Sequence, residues 1–272
     1  MSGHPHTGLL QSVTRALRVL DHVAAAPGPL PAREISRALG LTLPTTYHLL
    51  STLVNGGYLV HLADEKAYAL GHRVDDLARG LHRQIAVPPE IRRVAAVTHR
   101  QARAAAYYAM LRDTEMIVAH VAECPEHPRI RPLDVGFHHA PHATAFGKLM
   151  LAMLEPGAAD DVLDATGTPR VTAATVTDRR MLRRQLDQIR ATGLAVEVDE
   201  FQADLSCMAA PVTDATGRFV GAVAISLPTR DLRDHRWAAE RAVRIGAVRA
   251  TRAVALTTAV RTGRCQADRA RP

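Results

Sequence analysis

The side chains best suited to catalysis or metal binding in this sequence are its cysteines and histidines, and their spacing speaks against both roles. Cys124, His120 and His127 lie upstream of His138, His139 and His142. Thiolates and imidazoles are good zinc ligands, but structural zinc sites use short, regular intervals, which this set does not match. The reading is therefore no metal and no cofactor. Cys207 opens the run Cys-Met-Ala-Ala-Pro-Val, and apolar neighbours raise a thiol's pKa instead of activating it. A glycine-rich phosphate loop, a Gly-x-Ser-x-Gly elbow and His-Glu-x-x-His are all missing from the sequence. No catalytic residue is expected, and the chain is not read as an enzyme.

Hydroxyl groups offer a different chemistry. At ~100° per residue, Thr46, Leu49, Leu50 and Leu53 of the segment 44–55 fall on one side of a helix, which should face a core. His48, Ser51, Pro44 and Asn55 fall opposite, flanked by Thr45, Tyr47 and Thr52. Thr and Ser hydroxyls bond bases or phosphates, and a Thr methyl can meet a thymine methyl. Thr46 stays among the candidates because a hydroxyl in the first turn is within reach of a phosphate. With Arg15 and Arg18 near the N-terminus and Lys66 downstream as phosphate contacts, the candidate double-stranded DNA surface is Arg15, Arg18, Thr45, Thr46, Tyr47, His48, Ser51 and Lys66. The competing reading of such a face is a solvated surface in a ligand-binding module that regulates a partner protein without touching DNA.

These residues need elements to hold them. Ser12 reads as the N-cap of a helix with Val13, Leu17, Leu20 and Val23 at helical spacing, ended by Pro27-Gly28-Pro29. A short helix over 31–39, a turn at Gly40 and a third helix over 43–55 capped by Thr42 follow. Two alternating runs, 58–62 and 67–70, joined by 63–66, form a hairpin. Helix, helix, turn, helix, hairpin is the winged helix-turn-helix. A helix over 73–87 carries Val74, Leu77, Leu81 and Ile85, and Pro88-Pro89 marks a boundary. Beyond it, helices are expected at 89–102, 143–154, 178–191 and 233–260, and strands at 104–111, 116–121, 195–200, 207–213 and 219–227. The fold class is thus α+β with an antiparallel sheet. The domains are a tail (1–11), a winged helix-turn-helix (12–72), a linker helix (73–88), a larger domain (89–262) and a second tail (263–272).

Bulk properties agree with this division. Hydrophobic residues make up 47% and charged ones 22%, a globular composition. No apolar stretch is long enough to span a membrane. Three cysteines are too few, and odd in number, for a disulfide framework, which fits a reducing cytoplasm. The net charge of +7 is unevenly placed. Residues 1–72 are basic by only one, 73–103 by four and 230–272 by seven, while 104–229 are acidic by five. Charge alone does not single out the hydroxyl-bearing helix as the nucleic-acid surface.

The ordered set of short segments resembles the IclR family of transcription regulators. Ser12-Val13-Thr14-Arg15-Ala16-Leu17 is similar to the family's opening helix, Leu41 to Leu53 with Gly57-Tyr58-Leu59 to its recognition helix and wing start, and Tyr68-Ala69-Leu70-Gly71 to its wing exit. Downstream, His142-Ala143-Thr144-Ala145-Phe146-Gly147-Lys148, Gly193-Leu194-Ala195, Glu200-Phe201 and Cys207-Met208-Ala209-Ala210-Pro211-Val212 follow in the family's order. The resemblance covers residues 12–260. It implies a GAF-like effector-binding domain, a dimer made through the DNA-binding domains, often a tetramer made through the effector domains, and DNA affinity controlled by a small-molecule effector. Family pocket positions correspond to Ala145, Phe146, Glu197, Leu205, Cys207 and Ser226. The chain departs from the family pattern at His48, where a basic residue is usual, and in having Lys66 as the wing's one cation. Ala224 stands where a hydroxyl is common, and Phe146 is bulky, so the resemblance implies a more apolar or aromatic effector.

Overall fold

The structure, a computed structural model, describes residues 9–85, 87–137 and 139–269. Residues 1–8 and 270–272 of the expected tails, and His138, lie outside the described residues. The chain divides between Gln84 and Ile85 into two compact units.

In the first unit, α1 (Gln11–Ala25), α2 (Ala32–Leu39) and α3 (Leu43–Asn55) surround a core of Val19, Val23, Leu30, Ile35, Leu50, Leu53 and Leu59. Gly40 ends α2 in the left-handed conformation, which glycine adopts without strain, and the Ser36 hydroxyl donates to Leu41 O across the turn at 2.7 Å. Thr42 caps α3 as its type predicts, its Oγ1 accepting from Thr45 N at 3.3 Å. The wing is β2 (Leu59–Leu62) paired antiparallel with β3 (Ala67–Leu70). A two-residue strand not foreseen from sequence, β1 (Leu30–Pro31), pairs on the other side of β3. A Cβ at Gly71 would stand 2.2 Å from the Gly57 carbonyl oxygen, so only glycine lets the two ends of the wing close. Then α4 (His72–Gln84) follows, with none of its residues buried.

Three expectations for this unit change. Helix α1 begins at Gln11 with Leu10 in the cap position, so Ser12 is not the cap. The core reaches only the C-terminal half of α1; Val13 and Leu17, expected inward, are 50% and 56% exposed. Helix α4 stops at Gln84 instead of running to 87, because Ile85 and Val87 are buried in the second unit.

The second unit is one five-stranded antiparallel sheet in the order β5-β4-β8-β7-β6. Its strands are β4 (Ala105–Arg112), β5 (Glu115–Ala122), β6 (Ala195–Val198), β7 (Leu205–Thr213) and β8 (Phe219–Pro228). Side chains alternate between two buried faces, which is why these strands read as nearly continuous apolar runs. Ala106, Tyr108, Met208, Ala210, Val223 and Ile225 share one face with Ile91 of α5 (Pro89–Ala102) and with Ala239, Val243 and Ala247 of α9 (Thr229–Arg269). Ala105, Tyr107, Cys207, Ala209 and Ala224 share the other with α6 (Ala145–Met153), α7 (Pro156–Thr166) and α8 (Arg179–Thr192). Helix α7 had no sequence assignment; its buried Ala159, Val162 and Leu163 keep helical spacing, but the stripe is short and broken by Asp160 and Asp161. Strand β6 ends at Val198, two residues early, where Asp199 takes a positive φ and turns the chain. Helix α9 continues to Arg269, through most of the segment expected to be a tail.

Candidate nucleic-acid interface and ligand pocket

Helix α3 presents a polar face built by its own periodicity. Thr46, Leu50 and Leu53 are buried, which leaves Tyr47, His48, Ser51 and Thr52 exposed and Thr45 half-buried. The Thr45 and Thr42 hydroxyls share a hydrogen bond at 2.8 Å at the open end of the helix. Thr46 leaves the candidate set: it is fully buried, and its hydroxyl donates to Thr42 O at 3.0 Å. Arg15 and Arg18 are exposed on α1, with Arg15 Nη2 donating to Gln11 Oε1 at 3.3 Å. Lys66 is exposed at the wing tip with φ 50°. Sequence reasoning passed over Arg33 and Arg37, exposed cations on α2, the helix that crosses the DNA backbone in this motif.

The six effector candidates lie together in the second unit, all buried. Glu197 on β6 pairs with Cys207 on β7, Cys207 with Ser226 on β8, and Ser226 with Ala105 on β4. Residues in one such row point to the same side of a sheet, here the side covered by Ala145 and Phe146 of α6. Ser226 Oγ is hydrogen-bonded to Tyr107 Oη at 2.9 Å, and Tyr107 Oη accepts from Ile130 N at 3.2 Å. Phe146 packs edge-on against Phe137 at 6.2 Å, and Phe137 against Phe201 at 5.4 Å. The result is a polar row of carboxyl, thiol and hydroxyl, with the Tyr107 hydroxyl bonded to Ser226 from the neighbouring position, within an apolar and aromatic surround.

Burial sets the protonation of this row. It pushes the Tyr107 phenol up to about 12 and the Cys207 thiol well above its ordinary value, so both are neutral. It also raises the Glu197 carboxyl to about 7, against the opposing pull of the Cys207 side chain and of backbone N–H groups. Beside the row, Lys148 of α6 is wholly buried, paired with Glu200 Oε1 and donating to Gln185 Oε1 at 2.8 Å. Glu200 Oε2 accepts Val176 N at 3.2 Å, so the pair ties the segment after β6 to α6 and α8. A Cβ at Gly147 would lie 2.5 Å from Pro141 Cα, which holds the loop at 140–144 against the start of α6. A cavity of about 310 Å³ reaches Phe146, Met116 and Thr144 there. A second, of about 390 Å³, reaches Ser226 and Ile130 at the strand ends, with Arg103 and Arg230 on its walls. Among the described residues, no group of three His, Cys, Asp or Glu side chains is placed to hold a metal ion.

Both units match known family models: the IclR helix-turn-helix domain over residues 12–63, and the bacterial transcriptional regulator IclR C-terminal domain over 86–252. The chain belongs to the IclR family. As an IclR-family protein it is a DNA-binding transcriptional regulator. It is 30% identical to the glycerol operon regulatory protein of Streptomyces griseus over 82% of this chain and 87% of that one. It is 26% identical to the transcriptional repressor IclR of Escherichia coli over 85% of each. The crystal structure of Thermotoga maritima IclR shares the fold, with a TM-score of 0.69 at 20% identity, covering 90% of this chain and 99% of that one. An IclR homolog from Microbacterium hydrocarbonoxydans, crystallised with 4-hydroxybenzoate, aligns with a TM-score of 0.62 at 25% identity, covering 89% and 99%. In this IclR-family chain Tyr107 and Phe137 belong to the candidate pocket although the sequence did not single them out. Tyr107 falls within the strand expected over 104–111, but nothing local announced its bond to Ser226 or the Phe137 contact. No helix among the described residues is long and apolar enough to cross a membrane.

Proposed function

We propose that this regulator reads an operator through Thr45, Tyr47, His48 and Ser51 of α3, with Arg15, Arg18 and Lys66 on the flanking phosphates. A small molecule held against the row Glu197–Cys207–Ser226, under Ala145, Phe146 and Leu205, sets its operator affinity in the cytoplasm. The DNA half rests on one observation above all: α3 spends its apolar side on the core and leaves a contiguous, exposed polar face. The effector half is supported by the buried polar row and by the related protein that carries 4-hydroxybenzoate.

A single recognition helix reads too few base pairs for useful affinity, so the active form is a homodimer or homotetramer on a roughly palindromic site. Two unpartnered apolar stripes in the first unit supply surface for pairing: Val13 and Leu17 on α1, and Leu77 and Leu81 on α4. The test is selection of bound duplexes from a random pool, then fluorescence anisotropy of the selected site against salt. Expected are a two-fold-related sequence and a log–log salt dependence of several phosphate contacts. Equal affinity for the selected and scrambled duplexes would refute the reading.

A further inference from the structure

Helices α5 and α9 pack side by side on one face of the second unit's sheet, and their outward sides carry charge of mostly one sign. Between Thr229 and Leu256, α9 has seven arginines against Asp231, Asp234 and Glu240. Helix α5 and the residue after it add Arg92, Arg93, Arg100 and Arg103 against Glu90 alone. Leu232, Ala239, Val243 and Ala250 of α9 are buried, so Arg233, Trp237, Arg241, Val248 and Arg252 fall on the opposite side, all of them exposed. Three of the acids are taken up locally: Glu90 by Arg93 at 3.6 Å, Asp231 by Arg230 at 3.6 Å and Glu240 by Arg244 at 2.8 Å. Among the described residues, no carboxylate pairs with Arg92, Arg100, Arg233, Arg241 or Arg252. Trp237, the chain's one tryptophan, is 74% exposed, and the Arg241 guanidinium lies 5.4 Å from its ring centre. A cleft of about 290 Å³ beside that pair is closed on the α5 side by Gln101.

Such a face fits a polyanion. The row from Arg233 to Arg252 is about 28 Å long at 1.5 Å per residue, most of one turn of a DNA duplex. Guanidinium groups match phosphate oxygens two at a time, and exposed cations without carboxylate partners have no bond to break first. Two other occupants suit the face less well. A two-fold pairing with a second copy would set arginines against arginines. Trp237 and Val248 stand singly among charges, too little apolar surface to enter a lipid interface. The chain belongs to a family of DNA-binding regulators, yet its residues 1–72 are basic by only one, while 73–103 and 230–272 are basic by four and seven. We propose that the α5–α9 face is a second contact surface for double-stranded DNA, holding the sugar–phosphate backbone without reading sequence. The effector-binding unit then contributes directly to DNA affinity. This rests on the DNA-binding reading above and is independent of the effector pocket.

Because Trp237 is the only tryptophan, its fluorescence reports on this face alone. The full chain is titrated with selected and scrambled duplexes of about 60 base pairs, several turns long, while acrylamide quenching of Trp237 and anisotropy of the labelled duplex are followed against salt. The same is done with a triple variant, Arg233→Gln, Arg241→Gln and Arg252→Gln, and with its lysine counterpart. Expected in the wild type is protection of Trp237 by both duplexes, lost as salt rises. The glutamine variant should show a log–log salt slope shallower by up to about 2.7 per bound copy, at about 0.9 per phosphate contact. Its affinity should fall severalfold for both duplexes alike, leaving the preference for the selected sequence unchanged. The lysine variant should keep most of the slope. If the glutamine variant fails to fold, protection of Trp237 in the wild type decides alone. Trp237 equally open to quencher with and without saturating duplex overturns the inference, as does an unchanged slope in the glutamine variant. A changed sedimentation coefficient of that variant without DNA overturns it and assigns the face to a second copy. Protection by phosphatidylserine vesicles but not by duplex overturns it in favour of a lipid surface. Normal preference for the selected duplex with Trp237 unprotected removes only this inference, whereas no binding of any duplex removes the operator reading as well.

Discussion

Each threonine at the start of α3 has a different task. Thr42 caps the helix, Thr46 is buried against Thr42 O, and Thr45 is half-buried with its hydroxyl bonded to that of Thr42. If Thr45 and His48 read bases as proposed, truncating either to alanine should cost about 1–3 kcal/mol of specific binding. Thr45→Ala and His48→Ala are therefore expected to weaken the selected operator while leaving nonspecific binding and thermal stability in place. Anisotropy on matched and scrambled duplexes measures this, and unchanged specific affinity in both variants would move the reading surface to Tyr47 and Ser51. Glu197 makes a prediction of another kind. Its folded value of about 7 lies above the ordinary 4.5, so the folded state holds the proton more tightly than the unfolded chain. The stability this provides is complete below about pH 4.5 and is lost as the pH rises through about 7, a change of roughly 3 kcal/mol. Glu197→Gln should flatten the fall in urea-unfolding free energy over that interval, and an unchanged slope would show that another group governs it.

Helices and strands were legible in this sequence wherever one period held for the whole element. The cap and the three-to-four spacing gave α3 its limits, and apolar runs gave the approximate extents of β4, β7 and β8, whose two buried faces only the structure shows. What escaped was fixed by contacts distant in sequence. Strand β1 has two residues and exists because β3 has an open edge beside it. Helix α7 carries a stripe too short to stand out, and the true inward face of α1 depends on where the small core ends. The pocket shows the same split. Its six candidate positions came from the resemblance and fall in one place, while the Phe137–Phe146 packing that surrounds them joins distant segments. Exposed apolar stripes on α1 and α4 lead to an element-scale prediction. If they pair two copies, Leu17→Asp or Leu77→Asp removes about 2 kcal/mol of apolar burial at each affected site, a loss of roughly thirtyfold in dimer affinity for each site. Sedimentation velocity across a concentration series should show the variants dissociating where the wild type does not. Intact dimers in both variants would place the pairing surface elsewhere.

At the scale of the whole chain, the regulator must carry a message from a pocket in one unit to a helix in the other through residues 72–84. Helix α4 closes the first unit and leads to Ile85, the first residue of the second. Its N-terminus is anchored, Arg73 N donating to Gly57 O at 3.1 Å and Val74 N to Gly71 O at 3.2 Å. The start of the helix therefore moves with the wing, while its remaining turns have no buried residue to fix them. An element held at one end and unburied along its length transmits rotation only while it stays helical. Leu81→Pro tests this: proline removes one helical hydrogen bond and clashes with the carbonyl four residues back, at Leu77, costing about 3 kcal/mol within the helix. The two cores do not contain α4, so both units should keep their melting transitions and the effector should still bind, while loss of the Leu81 pairing contact lowers operator affinity alike with and without effector. What should disappear is coupling, the change in operator affinity between effector-free and effector-saturated protein, typically about 1–3 kcal/mol in such systems. By reciprocity, operator DNA should also stop altering effector affinity in the variant. Anisotropy with and without effector, and effector titration with and without operator, measure the same quantity from both sides. Normal coupling in Leu81→Pro would mean that the message does not pass through a continuous α4.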